Sequence, residues 1–187
     1  MDKKQLRNIK KKQRDLLDKN LVVNNSKKII DIILGLDLFK KSKYVLSYMP
    51  FRNEVDVSLL MNKVSADKKI VLPKIIDDDI ILKEFDNDLR NLKKNKYGIL
   101  EPENGTEINP KRIEIAIIPG IVFDKKANRI GFGKGYYDRV LKAMDCLKLG
   151  VCYDFQLVDD FSDVVLEHDI KMDMVITEKE VLDIRKI

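Results

Sequence analysis

The sequence predicts an α/β fold, on two observations. Apolar runs of strand length alternate with segments of helical periodicity along the whole chain. One of those runs, EIAIIP at 114–119, is apolar without alternation, the pattern of a central strand covered on both faces. The length agrees: 187 residues make one domain, enough to bury about 70% of the unfolded surface.

The elements follow in order. Lys3 to Leu17 has the spacing of an amphipathic helix, with Leu6, Ile9, Gln13, Leu16 and Leu17 near one face. Asn24 and Asn25 read as a turn and N-cap, followed by a second helix over Ser26–Leu38 with Ile29, Ile30, Ile33 and Leu34 as its buried stripe. KYVLSYM (43–49) is the first strand, ended by Pro50, and a short helix is expected over Val57–Lys63. KIVLP (69–73) and Ile80–Phe85 are strands joined through Asp77, Asp78 and Asp79. Those three carboxylates lack the alternation and glycine of a calcium loop and read as a solvated turn. Asp88–Lys96 is polar, a short helix or loop, and 103–112 is a connector. After the 114–119 strand come a glycine-rich loop, a helix opening at Tyr136, the strands LKLGVCY (147–153) and MVIT (174–177), and a polar tail over Glu178–Ile187.

Composition narrows the function classes. Hydrophobic residues are 44% and charged ones 36%, a globular balance. No apolar run approaches about 18 residues and the lysine-rich N-terminus has no apolar core, so neither a membrane span nor a secretory leader is expected, and the expected location is cytoplasmic. Cys146 and Cys152 suit no metal motif and read as small core residues, a disulfide being the less favoured alternative. Within residues 1–20, eight lysines and arginines stand against three aspartates, the whole of the net +5. A basic helix serves nucleic acid, a membrane surface or phosphate capture, or is a solvated face. No aromatic residue is interleaved to stack on bases, so nucleic acid is not an expected partner.

The glycine loop carries the chemistry. Gly131, Gly133 and Gly135 fall at alternate positions between Arg129 and Asp138, with Lys134 among them. Glycines so close together suit backbone N–H groups converging on an anion, and the helix N-terminus at Tyr136 adds its own free N–H groups. Asp138 places a carboxylate where Mg²⁺ could sit against phosphate oxygens. The spacing matches neither GxGxxG nor GxxxxGK[ST], so an ordinary glycine-rich turn stays open on spacing alone. Asp124 reads as a turn cap in preference to a partner for Arg129. Glu54, in a polar stretch just past the first strand, stands where open sheets place ligands, or is a plain loop residue.

The whole string R-x-G-x-G-x-G-Y-Y-D-R over 129–139 closely resembles the signature of the 5-formyltetrahydrofolate cyclo-ligase family. The resemblance extends in order through Lys3-Lys-Gln-Leu-Arg7, Glu54, KIVLP, GILEP at 98–102, DFQLV at 154–158, and His168-Asp169 with Asp173. It implies a mixed, largely parallel sheet flanked by helices, Rossmann-like and akin to sugar-phosphate isomerase and CoA-transferase-like proteins. It implies ATP- and Mg²⁺-dependent cyclisation of 5-formyltetrahydrofolate to 5,10-methenyltetrahydrofolate by a monomer. Lys3, Arg7, Arg129, Ile130, Gly131, Phe132, Gly133, Lys134, Gly135, Tyr136 and Tyr137 would bind ATP. Met49, Glu54, Lys134 and Tyr136 would face the folate, and Lys134, Arg129 and Tyr136 would take part in the chemistry. Asp138 and Asp169 would hold the metal, with Asp173 completing the H-D-x-x-x-D pattern, while His168 orients a loop. Phe132 departs from the arginine or glycine common in the family, and the proline usual before the H-D element is missing from 159–166. A sugar-phosphate enzyme on a related fold is the competing reading, and it leaves Lys3, Arg7 and Glu54 without a task.

Overall fold

The computed structural model describes residues 2–186 apart from Ala66 and Asp78, so the middle of the expected aspartate turn lies outside the described residues. Helix α1 (Lys3–Asp15) opens with a capping box between Asp2 and Gln5. Helix α2 (Lys19–Gly35) is capped by Asp18, whose carboxylate accepts from Asn20 N at 2.8 Å. Asn24 and Asn25 therefore lie inside a helix, not in a turn. A well-placed cap upstream and the burial of Ile29, Ile30 and Ile33 outweigh the modest helix cost of two asparagines, about 0.7 kcal/mol each at most. The helix also stops early: Leu36 is extended, and α3 (Asp37–Lys41) is a separate turn.

Strand β1 (Tyr44–Leu46) and helix α4 (Ser58–Met61) are shorter than their sequence periods. Strand β2 (Lys69–Ile76) runs past Pro73 and forms a hairpin with β3 (Asp79–Phe85). The proline is tolerated because the β1 register ends at Val71, so only β3 flanks it. The polar 88–96 segment contains neither a full helix nor only loop: β4 (Leu92–Lys94) pairs with β5 (Leu100–Pro102). Then come β6 (Ile115–Pro119), β7 (Val122–Asp124), β8 (Arg129–Ile130), α5 (Tyr136–Leu141), β9 (Leu147–Val151), β10 (Leu157–Val158), β11 (Met174–Ile176) and β12 (Val181–Asp183).

Among the described residues the central sheet has seven strands in the order β12-β11-β9-β6-β1-β2-β3. Its five inner strands are parallel and both edges are antiparallel. The expected polar tail thus supplies an edge strand, with Leu182 opposite Val175. Alternate residues of the inner strands serve different cores. Val45, Ile115 and Ile117 pack on one face with Ile29, Ile30 and Ile33, while Leu46, Ala116 and Ile118 pack on the other with Leu141 and Met144. Two covered faces explain why β6 shows no polar alternation.

A small second sheet, β10-β7-β8, carries the chain from β6 towards the glycine loop. Its turn is held by Asp124, fully buried, which accepts from the backbone N of Lys126, Asn128 and Phe161 and from Asn128 Nδ2. Asp124 is a turn cap, as its sequence position suggests. Beneath it, Phe123 presses on β9 where Gly150 stands: a Cβ there would lie 2.5 Å from the Phe123 ring and 2.9 Å from Met172 Cγ. Gly150→Ala is expected to lower stability by about 1–3 kcal/mol through overpacking, read as a shift of the urea midpoint at constant slope.

Candidate active site

Ligands of open α/β sheets bind beyond the carboxyl ends of the strands, and a cleft of about 730 Å³ lies there. The segment after β1 brings Tyr48, Met49 and Glu54, β2 brings Pro73 and Ile75, and the end of β6 brings Pro119. GILEP contributes Ile99, Leu100 and Glu101 to the wall. Glu101 itself is held by Ile75 N at 3.1 Å and Asn95 Nδ2 at 2.6 Å, so it ties the β4–β5 ribbon to the sheet. The glycine loop closes the opposite side.

That loop is built as its glycines suggest. Gly133 and Gly135 have φ of 94° and 67°, the left-handed region glycine enters without strain, and they flank Lys134. Lys134 is exposed, lines the cleft, and forms no ion pair among the described residues. At Gly131 the reason is contact: a Cβ would meet Arg129 Nη1 at 2.4 Å. Arg129 is buried, pairs with Asp138 through Nη2 at 2.8 Å, and sets its guanidinium 5.8 Å from the Tyr137 ring centre. Burial raises the Tyr137 hydroxyl pKa, with a further push from Glu54 and a smaller opposing pull from Arg129. Gln156, buried behind the loop, donates to Gly120 O and Ile121 O and fixes the chain that enters it.

The N-terminal helix is not simply a solvated basic face. Lys3, Arg7, Lys10 and Arg14 are spaced four, three and four residues apart, one stripe of α1. Lys3 pairs with Asp169, Arg7 Nε donates to Gly131 O at 2.8 Å, Lys10 Nζ donates to Phe155 O at 2.6 Å, and Arg14 pairs with Glu54 at 3.3 Å. The stripe fastens α1 across the cleft, and Arg7 lines it.

The sequence-derived residues fall into three groups. Arg7, Met49, Glu54, Arg129, Gly131, Phe132, Gly133, Lys134, Gly135, Tyr136, Tyr137, Asp138 and Asp169 all line the cleft. Lys3 reaches it only through Asp169, and the Ile130 side chain points into a buried cluster with Ile121, Val122 and Phe161. Asp173 is elsewhere: it accepts from Lys148 N at 2.7 Å at the start of β9, the far end of the sheet from the glycine loop. Burial works against ionisation of Asp169, but the Lys3 ammonium and the Leu166 N–H outweigh it together, so the carboxyl titrates below its usual range. Asp138 and Asp169 present hard oxygen donors to one cleft, the donor type through which Mg²⁺ is held together with substrate phosphates. Among the described residues no cluster of three or more metal-ligating side chains gathers.

Residues not singled out from sequence support the walls or complete them. Arg14 is 1% exposed behind Glu54, and the Phe132 ring centre lies 5.5 Å from its guanidinium. Tyr48, buried, donates to Val55 O at 2.8 Å and shapes the turn that presents Glu54. Tyr97 meets Tyr136 across the mouth, hydroxyl to hydroxyl at 3.4 Å. His168, expected from sequence to orient a loop, also lines the mouth. Cys146 and Cys152 are free thiols, and burial pushes Cys146 up to about 11. Among the described residues no helix is long and apolar enough to cross a membrane.

A family model described as the 5-formyltetrahydrofolate cyclo-ligase family matches residues 1–178. A solved structure of an Aquifex aeolicus 5,10-methenyltetrahydrofolate synthetase is 37% identical, with a TM-score of 0.89 over 99% of this chain and 94% of that one. One from Mycoplasma pneumoniae is 27% identical, with a TM-score of 0.77 over 95% of this chain and 99% of its own. A 5-formyltetrahydrofolate cyclo-ligase of Mycoplasma genitalium is 34% identical, the match covering 72% of each chain. The cleft between the glycine loop and Glu54 lies in a fold shared with these enzymes, and the chain belongs to the 5-formyltetrahydrofolate cyclo-ligase family.

Proposed function

We propose that residues 1–187 act as one catalytic domain that cyclises 5-formyltetrahydrofolate to 5,10-methenyltetrahydrofolate, converting ATP to ADP and phosphate. The observation that carries the reading is the polarity of one cleft. Arg7, Arg129 and Lys134 line it together with the apolar Met49, Pro73 and Ile75 and the Glu54 carboxyl. A polyphosphate fits the cations, and a flat, partly polar heterocycle fits the apolar residues and the carboxyl.

The formyl oxygen is a poor leaving group, so it must be activated. In the proposed sequence it attacks the γ-phosphorus of ATP and ADP departs. N10 then adds to the activated formyl carbon and gives up its proton, and the C–O bond breaks with phosphate as the leaving group. Little covalent work falls to the protein: it aligns the formyl oxygen with the phosphorus and offsets charge on the transferring group. Lys134, Arg7 and Arg129 offset that charge, Glu54 and Met49 hold the folate, and Tyr136 packs against it. Phe132, at the position where the resemblance implies arginine or glycine, offers its backbone to the phosphates. Asp138 and Asp169 would hold Mg²⁺, which supplies charge neutralisation on phosphate oxygens. Lys3 and Arg129, which now pair with those two carboxylates, would be drawn towards phosphate when the nucleotide enters. A monomer is the proposed working unit.

The test mixes protein, 5-formyltetrahydrofolate and Mg²⁺ with and without ATP and follows the product's near-ultraviolet absorbance. Product that forms only with ATP is the expected result. Turnover of a sugar phosphate without ATP, and none of the folate, would replace this reading with the competing one.

A further inference from the structure

Arg14 is a buried cation that the proposed chemistry leaves without a task. It is 1% exposed and does not line the cleft. Among the described residues its guanidinium donates one hydrogen bond, from Nη1 to Glu54 Oε1 at 3.3 Å, and its Nε and Nη2 are buried without a hydrogen-bond partner. An arginine buried for packing alone would leave a guanidinium's desolvation uncompensated, and that cost is high enough to make buried charges functional suspects. Its surroundings are specific. Glu54 lines the cleft and Arg14 does not, so the guanidinium stands directly behind the carboxyl that faces the ligand. On another side lies Phe132, in the phosphate loop. The same helix ties Arg7 to Gly131 O of that loop.

We infer that Arg14 is a positioning residue, which keeps Glu54 an ionised and oriented acceptor for an N–H-bearing edge of the folate and links that acceptor to the phosphate loop through Phe132. This rests on the cyclo-ligase reading. The reason is electrostatic and steric together. Glu54 is 5% exposed, and burial raises its carboxyl pKa towards the neutral acid, with Arg14 and the Phe51 N–H pulling it back in part. A neutral carboxyl would donate a hydrogen bond where the amide and amine of a pterin ring present donors of their own. The charged groups and hydroxyls facing Glu54 from the packed elements are Arg14 on α1, Tyr48 after β1, Tyr137 on α5 and Tyr153 after β9. Of these Arg14 alone is a cation. Glu54 Oε2 meanwhile accepts from Phe51 N at 2.9 Å, which leaves the Arg14 contact to set the direction of the other oxygen.

The experiment measures kcat and the KM of each substrate for wild type, Arg14→Met, Arg14→Lys, Glu54→Gln and the double variant Arg14→Met/Glu54→Gln, with thermal midpoints for all. Arg14→Met is expected to raise KM for the folate about tenfold or more while KM for ATP moves within about twofold, the cost of one misdirected charged hydrogen bond. Arg14→Lys recovers part of the loss. On the Glu54→Gln background the second change adds within about twofold, because the two residues act as one unit. A fully multiplicative double variant, equal rises in both KM values, or an Arg14→Met enzyme like wild type would overturn the role. If Arg14→Met does not fold, Arg14→Lys with and without Glu54→Gln carries the same comparison. Wild type that makes no product at all overturns the cyclo-ligase reading and this role with it, whereas active wild type with unaffected Arg14 variants overturns this role alone.

Discussion

Lys134→Ala is expected to lower kcat by about two to three orders of magnitude while leaving the folded state almost unchanged. The two halves of that expectation come from the same geometry. Gly133 and Gly135 turn the backbone on either side of Lys134, so its ammonium stands in the cleft with no ion pair among the described residues to hold it. An exposed lysine without partners contributes little to folding, within about 0.5 kcal/mol. The same lysine, delivered to a cleft that already holds Arg7 and Arg129, completes a three-cation set for a group that gains charge dispersion in its transition state. The loss should therefore fall mainly on kcat, with KM for ATP rising less. Thermal midpoints of the two proteins should agree within about 2 °C. Near-normal turnover would remove Lys134 from the chemistry and leave the phosphates to Arg7, Arg129 and the other cations of the cleft.

How far the sequence carried the structure depends on what each residue's neighbours could reveal. The parallel core strands were legible because two-sided burial writes itself as unbroken apolar runs, and the glycine loop because its three alternate glycines sit in a longer string, R-x-G-x-G-x-G-Y-Y-D-R, that spacing alone would not have identified. Shorter pieces such as β7, β8 and β10, two or three residues each, hold no period and left no trace. Strand β12 is flanked on one side only, so polar residues dominate its surroundings and it read as a tail. Asp173 looked like a partner of Asp169 because both fall in the H-D-x-x-x-D pattern of the resemblance, but 170–173 run away from the mouth to the far end of β9. Arg14 was hidden among cations. The signal that exposes it is the spacing of Lys3, Arg7, Lys10 and Arg14, which puts all four on one helical face, a poor arrangement for mutual repulsion unless the face has partners.

Arg129→Met, in contrast to the lysine change, should cost both stability and turnover, and a second substitution should separate the two. Arg129 and Asp138 form a pair whose side chains are 4% and 19% exposed. Removing the guanidinium strands a carboxylate that retains water on one side, so the loss should be about 1–3 kcal/mol, below the cost of breaking a fully enclosed pair. The arginine also packs its methylenes towards Gly120, where a Cβ would lie 3.2 Å from Arg129 Cγ, and methionine replaces that contact in part. Adding Asp138→Asn to Arg129→Met removes the stranded charge, so the double variant should regain much of the lost stability. Turnover should not return with it, because the double variant still lacks a cation for phosphate and now lacks a carboxylate for the metal as well. Urea unfolding of the four proteins reads the first quantity and steady-state kinetics the second. If Asp138→Asn restores no stability, the pair is not the stabilising unit and the arginine's burial must be explained by packing. If it restores turnover, Arg129 serves the fold and not the phosphate, since a charge needed in the reaction cannot be replaced by deleting its partner.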